Sequence, residues 1–326
     1  MIVRTLKSNS LISLALPALL PAFIWVAAAL LRHAAPAPIP APIFNALFGW
    51  LLAMPYVQLF AGFLLLCTEA YLWGRFINNL TLLHQSSNMP AFFYALLMSY
   101  RTTQVDFYPA LAASLFLMLA LGRVAESYTR EKALSEAFDA GFLIGIAALL
   151  YLPASVFLIF LLIAFLIMRS IVWREPVVSL IGFLLPFMFA FTLYALFIKS
   201  GSFFKTEVLQ QAIGKFQFAP RVTWQHIFVL SVLLLTGLIS LVNYAGAYSN
   251  NVVKKQKIWG LMLWFAFFAV LAGILSPQKD SRSFSLLAIP CSFIFSNYFL
   301  RSKSKWLPDL LFLLILVATG LNLYYG

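Results

Sequence analysis

Apolar runs divided by short polar links recur from Leu11 to Tyr325, and the length of each run predicts the element it builds. Leu11–Leu31 has 21 residues, longer than a cleavable signal core and enough to cross about 30 Å of hydrocarbon, so it reads as a retained span. The alternating prolines of Ala34–Pro42 forbid helix and predict a stiff, extended connector on the far side. Ile43–Phe76 is divided by Pro55 into an interfacial helix, Ile43–Ala53, and a span, Tyr56–Phe76, with Trp50 and Trp73 expected at headgroup depth. In the second half Leu180–Ile198, Ile227–Tyr244, Ile258–Leu275, Phe284–Phe299 and Leu307–Tyr324 read as conventional spans.

The middle of the chain has shorter runs. Ala91–Tyr100, Tyr108–Leu121, Gly141–Leu152 and Ala154–Met168 have 10, 14, 12 and 15 residues, which at a helical rise reach only about 15 to 23 Å. None crosses alone, so each pair predicts a hairpin of short helices or a re-entrant element, the first broken at Arg101–Asp106 and the second at Pro153. Charge supports the second hairpin. With the N-terminus inside, it puts 14 of the 22 Lys and Arg residues on the inner face, including Lys254, Lys255, Lys257, Arg301, Lys303 and Lys305. A single tilted helix would even out the two faces, against the positive-inside bias. The expected fold is an all-α polytopic transmembrane bundle of about 9–11 membrane segments. It forms one integral membrane domain over 1–326: N-terminal spans with a proline-rich loop (1–77), short-helix hairpins (78–170) and conventional spans (171–326).

Composition agrees and removes whole function classes. With 63% hydrophobic and 10% charged residues, the chain lacks the polar surface of a soluble globule. The net charge of +12 sits in the links between runs, as a membrane surface demands, so membrane lipids are the expected partners and nucleic acid is not. Cys67 and Cys291 are far apart, and His33, His84 and His226 are scattered; neither set makes a metal site, and no cofactor fingerprint is present. Between Gly201 and Gln225 the spacing of Phe204, Val208, Leu209 and Ile213 predicts a short amphipathic helix on the membrane surface.

Charge within hydrocarbon depth marks the candidate chemistry. Glu69 lies one turn before Trp73 and is expected either to reach the inner headgroups or to neutralise itself by protonation. Arg101 and Asp106 bracket a break which, at the tip of a re-entrant hairpin, would face a cavity and form the candidate catalytic pair. Glu126 and Arg130 have the spacing of a helical ion pair, and Asp139, just before Gly141, is placed to cap a helix. Arg174 and Glu175, between Trp173 and Pro176, combine an interface anchor with a helix start and complete the candidate binding residues. Gly141 and Gly145 form a GxxxG pair suited to close helix contact.

Asn78-Asn79, Met89–Tyr94, Phe138–Gly145, Leu150–Pro153, Trp173–Glu175 and Ile181–Pro186 together resemble an uncharacterised multi-pass inner-membrane family of Bacteroidota, over the stretch from about Pro42 to the end. The resemblance implies a bacterial inner-membrane location and no mechanism. Some of its members carry a carotene monooxygenase label, chemistry that three scattered histidines do not support. Three functions stay open: an enzyme acting on a lipid-linked or glycan-type substrate through Arg101 and Asp106, a transporter or flippase built on broken helices, and a non-catalytic subunit of a membrane assembly.

Overall fold

The computed structural model describes residues 41–100, 105–128, 130, 132–169, 173–198, 224–248, 252–276, 281–302 and 306–325, with 19, 21–27 and 30 of the first apolar run. Every regular element among them is helical. In chain order they are α1 (Pro42–Leu52), α2 (Pro55–Asn79), α3 (Met89–Met98), α4 (Pro109–Ser127), α5 (Leu134–Leu150), a 3-10 turn (Leu152–Val156), α6 (Phe157–Met168), α7 (Arg174–Ile198), α8 (Trp224–Tyr248), α9 (Val253–Leu275), a second 3-10 turn (Ser281–Leu287), α10 (Ala288–Arg301) and α11 (Trp306–Tyr325). Arg101 and the expected amphipathic helix of 201–225, apart from Trp224 and Gln225, lie outside the described residues.

Proline explains many of the boundaries. Pro42, Pro55, Pro90, Pro109 and Pro153 each occupy the first or second position of a helix, where the missing N–H is not needed and the fixed φ is already helical. Among the described residues five helices are long and apolar enough to cross a membrane: Pro55–Asn79, Pro109–Ser127, Arg174–Leu193, Val253–Leu275 and, taking the second 3-10 turn with α10, Arg282–Arg301. The protein is therefore a multi-pass membrane protein by the length and composition of its helices.

One expectation of span length needs correction. Tyr108–Leu121 is not a short hairpin arm: the helix starts at Pro109 and runs 19 residues to Ser127, because Gly122–Ser127 continues the helix through its polar end. Phe284–Phe299 lies within the span Arg282–Arg301, whose start, Ser281–Leu287, is wound as a 3-10 turn before α10 begins. That turn rests on α9 with no room to spare; a Cβ on Gly273 would lie 2.5 Å from the Phe284 ring.

The short helices remain where irregular backbone is protected by protein. α3 has 10 residues, nine of them buried, and at about 15 Å it stops inside the bundle, packed between α2 and α10. Its aromatic face meets Phe299 and Phe312, with Phe93–Phe299 centroids 4.8 Å apart. The break between α5 and α6 is also real: Tyr151 is extended and Pro153 opens the 3-10 turn. The chain then returns to the end from which it left, because the Arg169 guanidinium reaches the Ser127 carbonyl at 3.3 Å. A single tilted helix would have carried Arg169 to the opposite end.

Candidate functional site

Glu69 faces inward because it shares the buried stripe of α2 with Gly62, Leu66, Ala70, Trp73 and Ile77. It does not reach headgroups. Its exposure is 0%, and Trp73, expected at the interface, is itself buried and donates its indole N–H to Ser292 Oγ at 2.8 Å. Two neighbouring helices each supply one hydroxyl. Tyr94 of α3 donates its hydroxyl to Glu69 Oε2 at 2.7 Å, and Ser114 of α4 lies 3.0 Å from Oε1. The two hydroxyls are 3.2 Å apart.

Proton counting defines what this cluster can do. Ser114 carries one hydroxyl proton but lies within hydrogen-bonding distance of two acceptors, Glu69 Oε1 and the Leu111 carbonyl at 2.6 Å. Both contacts are bonded at once when the one hydroxyl proton is shared between them, or when the carboxyl contributes a proton of its own to Ser114. Glu69, Tyr94 and Ser114 thus form a closed set of three groups that can hold a proton at different oxygens.

A second polar layer lies toward the start of α2. Asp106 is 4% exposed, and its backbone is pressed on Gly62, where a Cβ would come within 2.8 Å of the Asp106 carbonyl. Only glycine admits the chain this close. Asp106 Oδ1 accepts the Phe107 N–H at 3.0 Å, and Gln58 donates to the Phe107 carbonyl at 3.3 Å. Tyr108 next to it is buried and in reach of Ser285, with Glu69 and Arg282 close enough to act on it electrostatically. Arg282, 4% exposed in the second 3-10 turn, was not among the sequence candidates. Its signal was the alternation Ser281-Arg282-Ser283-Phe284-Ser285 at the mouth of a span. Tyr151 meets the same turn through the Ser283 carbonyl at 3.4 Å, and Ser283 bonds Ser276 at 3.0 Å. Both helix breaks therefore meet at one polar layer.

The remaining candidates lie at the other end. Asp139 is not an N-cap: α5 begins at Leu134, one turn earlier, so Asp139 sits inside the helix and faces Arg123 at 3.6 Å. The ion pairs of this link also differ from the expected Glu126–Arg130, because α4 ends at Ser127 and releases Arg130. Arg123 takes Glu126 at 3.2 Å, and Arg130 takes Glu136 at 3.3 Å. Burial works against the Glu136 charge, but hydrogen bonds from its own backbone N–H and Ser135, with Arg130 and Arg123 nearby, outweigh it and hold the carboxyl below its ordinary range. Arg174 is exposed over the Trp173 ring at 5.8 Å, as an interface anchor would be. Glu175 turns inward to Arg169 at 3.5 Å and is 3% exposed. The sequence candidates therefore do not assemble into one site. Glu69 and Asp106 lie toward the bundle interior, whereas Asp139, Arg174 and Glu175 belong to its basic end. Among the described residues no group of three His, Cys, Asp or Glu could hold a metal ion.

Residues 42–325 match a family whose model is described as a family of unknown function, DUF6427. The chain belongs to that family. The DUF6427 match takes in every element from α1 to α11, including the three helices that carry Glu69, Tyr94 and Ser114. No curated protein and no solved structure matches the chain.

Proposed function

We propose that this DUF6427 protein is a proton-coupled transporter of a small polar solute, with Glu69 as the group that takes up and releases the proton. The observation that carries this reading is a carboxyl buried in the middle of a membrane-spanning helix, bonded by hydroxyls from α3 and α4 and by the Leu115 backbone, with no basic side chain among these partners. An ionisable group at that depth is costly, and proton relays are a principal use for it. The helix breaks support the same reading. A half-length helix and two 3-10 turns inside the bundle supply the interrupted backbone on which transporters build binding sites. Arg282 among buried serines and tyrosines favours a solute with a carboxylate or phosphate group.

The test uses purified protein in proteoliposomes loaded with a pH-sensitive dye and challenged with amino acids, organic acids, sugars and phosphate esters. At least one solute should carry protons inward. Glu69→Gln should abolish the proton signal while the protein stays monodisperse, and Glu69→Asp should retain part of it. Proton entry unchanged in Glu69→Gln, or no solute-dependent entry across the panel, overturns the reading.

One observation favours a second reading, an enzyme acting on a lipid-linked substrate. An apolar crevice lined by Ala22, Trp25, Val26, Leu59, Phe60 and Phe63 is open on the lipid-facing side, and Trp25 donates to Ser99 Oγ at 2.9 Å, two residues before Arg101. This reading requires Arg101 and Asp106 for turnover and is indifferent to a proton gradient.

A further inference from the structure

The first turn of α9 carries Lys254, Lys255 and Lys257 and no acidic residue. Cations there meet both one another and the positive end of the helix dipole, a placement that is unfavourable unless something negative compensates it. Among the described residues no carboxylate provides the compensation. Glu175 pairs with Arg169, Glu136 with Arg130, and Glu126 and Asp139 with Arg123. Among the described residues none pairs with the three lysines.

The lysines are nevertheless gathered rather than splayed. Lys254 and Lys257 both lie over the Tyr128 ring, at 5.9 and 5.2 Å, and Lys257 donates to the Met168 carbonyl at 3.0 Å. The site is thus assembled from the ends of α4, α6 and α9. Since α9 is a membrane-crossing helix, lysines in its first turn stand at the level of lipid phosphates. Val252 and Val253 beside them are 69% and 57% exposed, an apolar step that suits an acyl chain and not a soluble anion.

We infer that this lysine cluster is a binding site for the phosphate headgroup of an anionic phospholipid. The ammonium groups supply the charge, the Tyr128 ring holds two lysine stems together, and the exposed valines receive the start of the acyl chain. Because the site joins three helix ends, a bound lipid also ties them to one another.

Native mass spectrometry of the full-length protein in mixed micelles, titrated with phosphatidylglycerol or phosphatidylcholine, tests this. Phosphatidylglycerol should be retained preferentially. Lys254→Gln/Lys255→Gln/Lys257→Gln should weaken its retention by about five-fold for each lysine removed, and Arg301→Gln/Lys303→Gln/Lys305→Gln, with the same change of charge, should leave most of it. If the first triple variant does not purify as a monodisperse species, Lys254→Gln and Lys257→Gln alone carry the test, each with about a five-fold loss. Tyr128→Phe should behave as wild type and Tyr128→Leu should lose affinity. Equal loss in the two triple variants, equal retention of the two lipids, or displacement by millimolar inorganic phosphate overturns the assignment.

Discussion

At the scale of single residues, the largest surprise is how a carboxyl is satisfied without a cation. Two hydroxyls, one from a half-length helix and one from a long one, bond Glu69 together with the Leu115 backbone. Removing one of them separates structure from chemistry. Tyr94→Phe keeps the ring in its buried site but deletes the donor to Oε2, and should lower stability by about 1 kcal/mol, since hydrogen bonds within membranes are worth little more than in water. Thermal unfolding in detergent measures this. A loss well above that figure would mean the hydroxyl holds more of the bundle than its two contacts, and no loss would mean that Glu69 finds another donor. Glu69 itself was legible in the sequence as a charge inside an apolar run, but its environment was not. A residue one turn from a tryptophan reads as near the interface until the fold shows that the tryptophan is buried.

At the scale of elements, the closest approach at any glycine among the described residues is between α5 and α7. A Cβ on Gly141 would lie 2.1 Å from the Ser179 carbonyl, one on Gly145 would lie 2.5 Å from the Phe183 carbonyl, and one on Gly182 would lie 2.4 Å from the Phe138 carbonyl. The GxxxG pair therefore serves a contact within the chain, with Gly182 answering it from the partner helix. Pro186 fits into the same seam, 3.0 Å from a Cβ on Gly145. Gly141→Ala should destabilise the protein by about 2 kcal/mol or more, because backbone on both sides must move. Gly122→Ala, which meets nothing nearer than 3.9 Å, should be neutral or slightly stabilising through helix propensity. Comparison of the two unfolding midpoints checks the argument, and equal midpoints would refute it.

At the scale of the whole molecule, one end of the bundle gathers the ion pairs and the lysine cluster. Arg169 meets Ser127, Lys257 meets Met168, and Trp259 donates to the Leu82 carbonyl at 3.4 Å. The link after α2 reaches this end through a left-handed Thr81, with φ 47°, and a two-way latch between the Asn78 amide and the Ser87 backbone. Those contacts predict sidedness. In a Cys67→Ala/Cys291→Ala background, single cysteines replacing His84, Arg130 or Lys255 should react with a membrane-impermeant maleimide from one side of sealed vesicles, and one replacing Met54 from the other. Labelling of positions 84, 130 and 255 from different sides would break the hairpin topology.

Hydropathy and proline placement made the membrane class, the existence of most helices and the break at Pro153 legible, because these depend on local composition and on backbone groups that lipid cannot satisfy. The positive-inside count also favoured the return of the chain before Arg169. What local pattern could not contain was which polar residues meet. Tyr94 and Ser114 are ordinary members of apolar runs until α3 and α4 bring them to Glu69. Arg282 reads as a loop cation until the 3-10 turn packs on Gly273, and Asp139 reads as a cap until α5 starts one turn early. Such meetings depend on helix ends and on close approaches between distant segments, and in a chain this apolar a single buried hydroxyl leaves almost no trace in sequence.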